Sequence, residues 1–329
     1  MVGRGFATVI ERDVVVVGGG QAGLAAGFYL SRAGADFEIL DASAGPGGAW
    51  PHTWPSLRLF SPAEFSSLPG KRMPATDGGN PDADHVVGYL RGYEERYGLP
   101  VRRGVRVVRV ERTGGGFVVR ANDDREWRSR VVISATGTWS RPFVPAVPGA
   151  ADFRGEQVHS AHYRGPVPFE GRRVVVVGRA NSGAQIAADL AGRCDLTWCT
   201  LGPPRYLPDD VDGRELFRVA SAAVRGRGGR GVADLGDIVV VPPVKAARDA
   251  GLLVATPMFD RFAADGVGWV DDEVLPADAV IWCTGFRPAL AHLTGLHLPR
   301  SGGRIRADGP AVPAVPGLFR SRERRINGS

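Results

Sequence analysis

The chain has 329 residues, 43% of them hydrophobic and 23% charged, which is ample apolar content for about two ordinary domains and unlike a disordered or collagenous chain. The formal charge of +6 is carried almost wholly by arginine, Lys71 and Lys245 being the only lysines; beside so much Ala, Gly, Val and Pro, that skew is the mark of a GC-rich coding genome rather than of a nucleic-acid partner. No apolar run approaches the ~18 residues of a membrane helix, no signal-peptide pattern opens the chain, and Cys194, Cys199 and Cys283 offer neither a disulfide framework nor a metal site, so a cytoplasmic protein is expected.

In chain order, residues 14–17 (four valines) read as a buried parallel strand. Gly18-Gly19-Gly20-Gln21-Ala22-Gly23 turns it into a helical pattern over 24–33, and 37–40 forms the next strand, ending at Asp41. Residues 45–82, rich in Pro, Gly and Ser, form a loop long enough to signal function or disorder. A helix over 84–97 stops at Gly98-Leu99-Pro100, and 105–110, 117–120 and 130–134 make a small meander. Ala135-Thr136-Gly137-Thr138 leads into a proline-rich connector over 141–149.

The opening pattern then recurs 160 residues on, as valines 174–177 followed by Gly178-Arg179-Ala180-Asn181-Ser182-Gly183, a helical stretch over 184–191 and a strand over 196–201. A helix near 211–224 precedes a short Arg-Gly tract at 225–231, which reads as a flexible loop rather than an RNA-binding segment. The chain returns through an apolar strand at 279–283 into Thr284-Gly285-Phe286-Arg287-Pro288. The predicted fold is α/β, with two dinucleotide-binding (Rossmann-like) domains, the NAD(P)-binding domain inserted into the FAD-binding domain. Residues 1–155 begin the FAD-binding domain, 156–277 form the NAD(P)H-binding domain, and 278–329 return to the first.

In the first turn Gly18 allows the tight bend, Gly20 lets backbone N–H groups approach a pyrophosphate, and Gly23 packs helix against strand. The phosphates then sit at the positive helix end, beside Gln21 and Ala22. An ordinary βαβ turn can share the glycines, but here Asp41 closes the following strand, placed to accept hydrogen bonds from the adenosine ribose. The second turn keeps Gly178 and Gly183, has Ala180 for the middle glycine, and offers Asn181 and Ser182 as donors. No acid closes its next strand. Arg205 is the candidate for a 2′-phosphate, against the plain alternative of a solvated loop arginine, so NADPH is expected, with NADH as the alternative. Thr136-Gly137 and Thr284-Gly285, each following an apolar strand, are further cofactor-side candidates. Two such sites imply electron transfer between two cofactors, FAD in the first domain being reduced by a nicotinamide in the second.

Four features together resemble the flavin-containing monooxygenase superfamily. The first is the glycine turn with Asp41. The second, Gly47-Gly48-Ala49-Trp50, is similar to the GGxW segment that approaches the flavin, which adds Gly48 and Trp50 to the site. The third runs from Phe153 to Tyr163 and matches the pattern FxGxxxHxxxY/F at Phe153, Gly155, His159 and Tyr163; the fourth, 284–288, resembles TG(Y/F)RP. Residues 48–62 further resemble compact bacterial members associated with arsenic operons.

The resemblance implies a monooxygenase in which NADPH reduces FAD, oxygen adds to the reduced flavin, and the hydroperoxide delivers one oxygen atom to a soft N or S of a small molecule. Small-molecule substrate and oxygen are thus the expected partners, with no nucleic acid, membrane or metal. Baeyer–Villiger relatives typically carry Trp where Tyr163 stands, so heteroatom oxygenation is the closer analogy. No catalytic side chain is implied, and His159 has a structural reading as good as a catalytic one. Relatives continue beyond a segment like 316–319 into a glycine-containing stretch and a flavin-side helix. Residues 320–329 instead hold four arginines and one glutamate with no apolar stripe, and an incomplete flavin pocket is expected. The alternatives are an NAD(P)H oxidase, an impaired nucleotide-binding protein, and a disulfide-reductase-like flavoprotein, the last disfavoured because Cys194 and Cys199 form no CxxC pair.

Overall fold

The computed structural model describes residues 9–209, 238–270, 273–301 and 304–321. The helix expected near 211–224, the Arg-Gly tract at 225–231 and the tail beyond 321 lie outside the described residues. The layering follows from strand β1 (Val9–Val17). Val14 and Val16 pack with Leu24, Phe28 and Ile39, whereas Val15 and Val17 pack with Trp127 and Val132. Side chains alternate along a strand, so consecutive buried valines require both sheet faces to be covered.

β1 lies between β2 (Phe37–Leu40) and β6 (Glu126–Ser134), parallel to both, and β2 continues in parallel to β3 (Val101–Arg102). On the other side β6 pairs antiparallel with β5 (Gly116–Ala121), which pairs with β4 (Val107–Thr113). Helices α1 (Gln21–Arg32) and α2 (Ala83–Arg96) cover the Val14/Val16 face. The meander strands outrun the apolar stretches that predict them because their exposed positions are charged. Arg120 sits between Glu111 and Glu126, its Nε 3.0 Å from the Glu126 carboxylate, as an ionic ladder across β4, β5 and β6.

The second unit repeats the scheme. Its sheet is parallel throughout, in the order β10 (Ala255–Pro257), β9 (Asp195–Thr200), β8 (Arg173–Val177), β14 (Ala279–Trp282), β7 (Glu156–His159). Val174 and Val176 pack with Ile186 and Trp198 beneath α3 (Asn181–Leu190) and α4 (Pro242–Asp249), while Val175 and Val177 pack with Phe259 and Trp282. Between β10 and β14 the chain forms an antiparallel trio, β11 (Arg261–Ala263), β12 (Gly266–Gly268) and β13 (Val274–Pro276). After a short hairpin of β15 (Arg300–Ser301) and β16 (Arg304–Ile305), β17 (Leu318–Arg320) pairs with β6 and so rejoins the first sheet. The return that the sequence places at 278 thus opens with β14, a strand of the second sheet, and the crossing follows it. Among the described residues no helix is long and apolar enough to cross a membrane, and no group of His, Cys, Asp and Glu could hold a metal.

Candidate functional site

Both glycine turns are crowded in the same way. Gly18 and Gly178 have φ of +108° and +136°, and a Cβ on either would lie 2.5 Å from a carbonyl oxygen, that of Ala135 or of Cys283. A Cβ on Gly23 or Gly183 would lie 1.9 Å from the carbonyl oxygen of Gly18 or Gly178. Each helix therefore starts hard against the end of its strand.

Neither α1 nor α3 has a side-chain cap or an acid in its first turn, so no carboxylate competes at the positive end of either helix. By contrast α2 is capped by Asp82, which accepts from the His85 N–H at 2.9 Å. Over the first turn lies Gly48, and a Cβ on it would sit 2.9 Å from Gly20 Cα. The arrangement fits a pyrophosphate, since added side chains would fill the cradle and a helix N-terminus is the place where backbone N–H groups meet an anion. Gln21 and Ala22 are exposed at the mouth of α1, and Trp50 is half-buried at the head of a short 3-10 turn, packed on the α1/α2 side of the first sheet.

Asp41 is buried at the end of β2. One carboxylate oxygen accepts from the Ser43 N–H at 3.1 Å, and the other is paired with Arg103, whose second nitrogen meets Glu94. Burial pushes the Glu94 carboxyl above its ordinary value, with Arg103 pulling against it. Arg103, missed by sequence reasoning, lies 62 residues from Asp41 and carries no local signal.

In the second unit Asn181 accepts from the Val239 N–H at 2.8 Å, which fixes its amide at the helix start; Ser182 is half-buried beside it. Arg205 is exposed, its carbonyl accepting from the Ile238 N–H at 3.1 Å.

Thr136, Gly137 and Gly285 lie where the chain crosses between the units. The two crossings run side by side: the Ala289 N–H donates to Gly137 O at 3.0 Å, the Arg287 N–H to Arg141 O at 2.8 Å and the Phe143 N–H to Gly285 O at 3.0 Å. Thr136 Oγ1 donates to Ala289 O at 2.9 Å, Thr284 Oγ1 donates to Phe143 O, and the Arg287 guanidinium covers the Phe143 ring.

The specific sequence pattern proves to be the fastening of this two-chain strap. His159 Nδ1 accepts from the Ala161 N–H at 3.0 Å, so the proton sits on Nε2, which donates to Gly285 O at 2.9 Å. Burial holds its pKa below the ordinary histidine value, and the neutral ring has both nitrogens satisfied. Phe153 packs on Phe262, and Gly155 leaves room for the Phe153 ring, which a Cβ there would meet at 2.3 Å. Tyr163 donates to Asp189 at 2.8 Å, lies over Phe169 and meets the edge of Trp54. Trp54 comes from the long loop of the first unit yet is buried in the core of the second. Ser56 from the same loop donates to Asp189 at 3.4 Å. The loop bearing Gly48 and Trp50 is thereby anchored across the seam.

All three cysteines are free, and burial raises every thiol, Cys194 to about 11 and Cys199 to about 12, which favours the protonated form of each.

Compared with known proteins, residues 15–204 match the pyridine nucleotide-disulphide oxidoreductase family. The chain is 48% identical to the flavin-containing monooxygenase from Stenotrophomonas maltophilia, across 94% of this chain and 90% of that one, with a TM-score of 0.86. It is 28% identical to the uncharacterized oxidoreductase CzcO-like of Geobacillus kaustophilus, over 83% of this chain and 80% of that protein. It is also 28% identical to the indole-3-pyruvate monooxygenase YUCCA4 of Oryza sativa subsp. japonica, over 83% and 74% respectively.

Proposed function

This chain belongs to the pyridine nucleotide-disulphide oxidoreductase family and, within it, to the flavin-containing monooxygenases, and from that premise we propose that it oxygenates a soft nucleophilic nitrogen or sulfur atom of a small molecule. The family uses FAD and NADPH. When bound, FAD supplies the hydride acceptor and the oxygen-activating centre, chemistry that side chains do not provide. The observation carrying the reading is the pair of uncapped, crowded helix starts, because a single-nucleotide enzyme needs one such cradle and this chain has two.

In this reading Gly18, Gly20, Gln21, Ala22 and Gly23 hold the FAD pyrophosphate, Asp41 its ribose, and Gly48 with Trp50 borders the flavin end. Gly178, Asn181, Ser182 and Gly183 hold NADPH, with Arg205 near its adenosine end. Thr136, Gly137 and Gly285 line the seam where the two cofactors would meet. The His159-pinned strap keeps the two cradles in register, and Trp54, Tyr163 and Phe169 exclude water from the join behind them. Tyr163, where Baeyer–Villiger relatives carry Trp, supports a heteroatom as acceptor. The competing reading is an oxidase that releases only peroxide.

The test is anaerobic reduction of the purified yellow protein by NADPH, then admission of oxygen with a thioether or a tertiary amine present. Product heavier by one oxygen atom, formed in proportion to NADPH consumed, is expected. Quantitative peroxide with no oxygenated product would defeat the proposal in favour of the oxidase.

A further inference from the structure

The two units part company at one corner. In such units the residue closing the second strand reads the adenosine ribose: a carboxylate accepts from a free 2′-hydroxyl, whereas a guanidinium receives a 2′-phosphate. In the first unit that residue is Asp41, and the second position of the turn, Gly19, faces it directly. A Cβ on Gly19 would lie 2.6 Å from Asp41 Oδ2 and 3.1 Å from Arg103 Nη1, so the corner is full.

Shifted by 160 residues, Gly19 becomes Arg179 and Asp41 becomes Leu201, which is 77% exposed. Arg179 is half-buried, and its Nη1 lies 3.9 Å from where Gly202 would carry a Cβ. The arginine issued from the glycine turn thus lies over the end of β9, the place that Asp41 fills in the first unit. The fold is the same and the charge is inverted. Leu201 offers no acceptor to a free ribose hydroxyl, and Gly202 leaves the guanidinium room to lie flat across the strand end.

We propose that Arg179 is the specificity-determining residue of the second site, receiving the 2′-phosphate of NADPH, with Arg205 in the lesser part. This rests on the second unit being the NADPH site. Titration calorimetry of the flavin-loaded enzyme with 2′,5′-ADP and with 5′-ADP isolates that phosphate from the rest of the nucleotide. The wild type is expected to favour 2′,5′-ADP by about tenfold or more. Arg179→Gly, which restores the residue of the first unit, loses about 10- to 100-fold on 2′,5′-ADP while 5′-ADP affinity stays within about twofold. Unchanged 5′-ADP binding certifies that the variant is folded. Arg179→Gln, which keeps the bulk, shows the same loss; Arg179→Lys recovers part of it.

Equal binding of the two nucleotides by the wild type overturns the assignment. So does a preference that survives Arg179→Gly and Arg179→Gln but is erased by Arg205→Ala. Failure of the underlying site reading looks different, because the wild type would then bind neither nucleotide.

Discussion

Replacing Trp54 by alanine tests whether the long loop of the first unit is anchored in the second. The side chain is 7% exposed and shares a core with Tyr163, Phe169 and Ile186. A tryptophan buries roughly 150–250 Å², which at ~25 cal/mol per Å² corresponds to about 4–6 kcal/mol of transfer free energy. Loop residues close over part of the cavity, so the expected loss of stability is about 3 kcal/mol, the lower end for Trp→Ala in cores. Trp54→Phe keeps an aromatic face toward Tyr163 and should lose about 1 kcal/mol. Urea unfolding followed by circular dichroism reads the stability. Because the same loop carries Gly48 and Trp50, stopped-flow reduction by NADPH reads the function, and a slower reduction with unchanged 5′-ADP affinity is expected. A Trp54→Ala protein within about 0.5 kcal/mol of wild type, reduced at the wild-type rate, would refute the anchoring argument.

Two further outcomes follow from the geometry. Gly23→Ala and Gly183→Ala each push a methyl to within 1.9 Å of a carbonyl oxygen, an overpacking cost of about 1–3 kcal/mol, yet they should differ in colour. The first should purify with little flavin and the second should stay yellow but resist NADPH; equal flavin content in both would contradict the division of cradles. His292 is buried beside Ser134, and burial lowers its pKa to about 4, with its bond to Ala289 opposing. The folded state therefore resists a proton that the unfolded chain accepts near 6.5, so stability is full above that pH and falls by about 3 kcal/mol as pH drops toward 4. His292→Gln should flatten the urea-midpoint profile across that window, and a profile of unchanged slope would show that another group governs it.

Much of the fold was legible because its signals are local. Runs of valine, glycine turns and the closing Asp41 declare two βαβ units without reference to any distant contact. The terminal reach of the meander was less legible, because charged ladder residues such as Arg109 and Arg120 mask an exposed strand face. What sequence could not supply is pairing across the chain. Arg103 against Asp41, His159 against Gly285, and Trp54 in the other unit's core depend on where the chain returns, and none has a neighbour in sequence that announces it. The motif around His159 was recognisable as a pattern, but its physical task became visible only with both nitrogens accounted for.

The paired crossings also bear on how the molecule can be cut and rejoined. Gly137 and Ala289 are hydrogen-bonded neighbours, so everything between them leaves and re-enters the first sheet through a single doorway. Splicing those two positions would close the first unit with almost no added loop entropy, and the excised segment would carry its five parallel strands away intact. The largest scar would be Trp54, stripped of its cover, with Leu57 losing the same core beside it and His52 losing its stack on Trp139. A designer treating the units as interchangeable modules would have to re-house that stretch of loop, the indole above all, and an ancestor assembled by insertion would have faced the same demand.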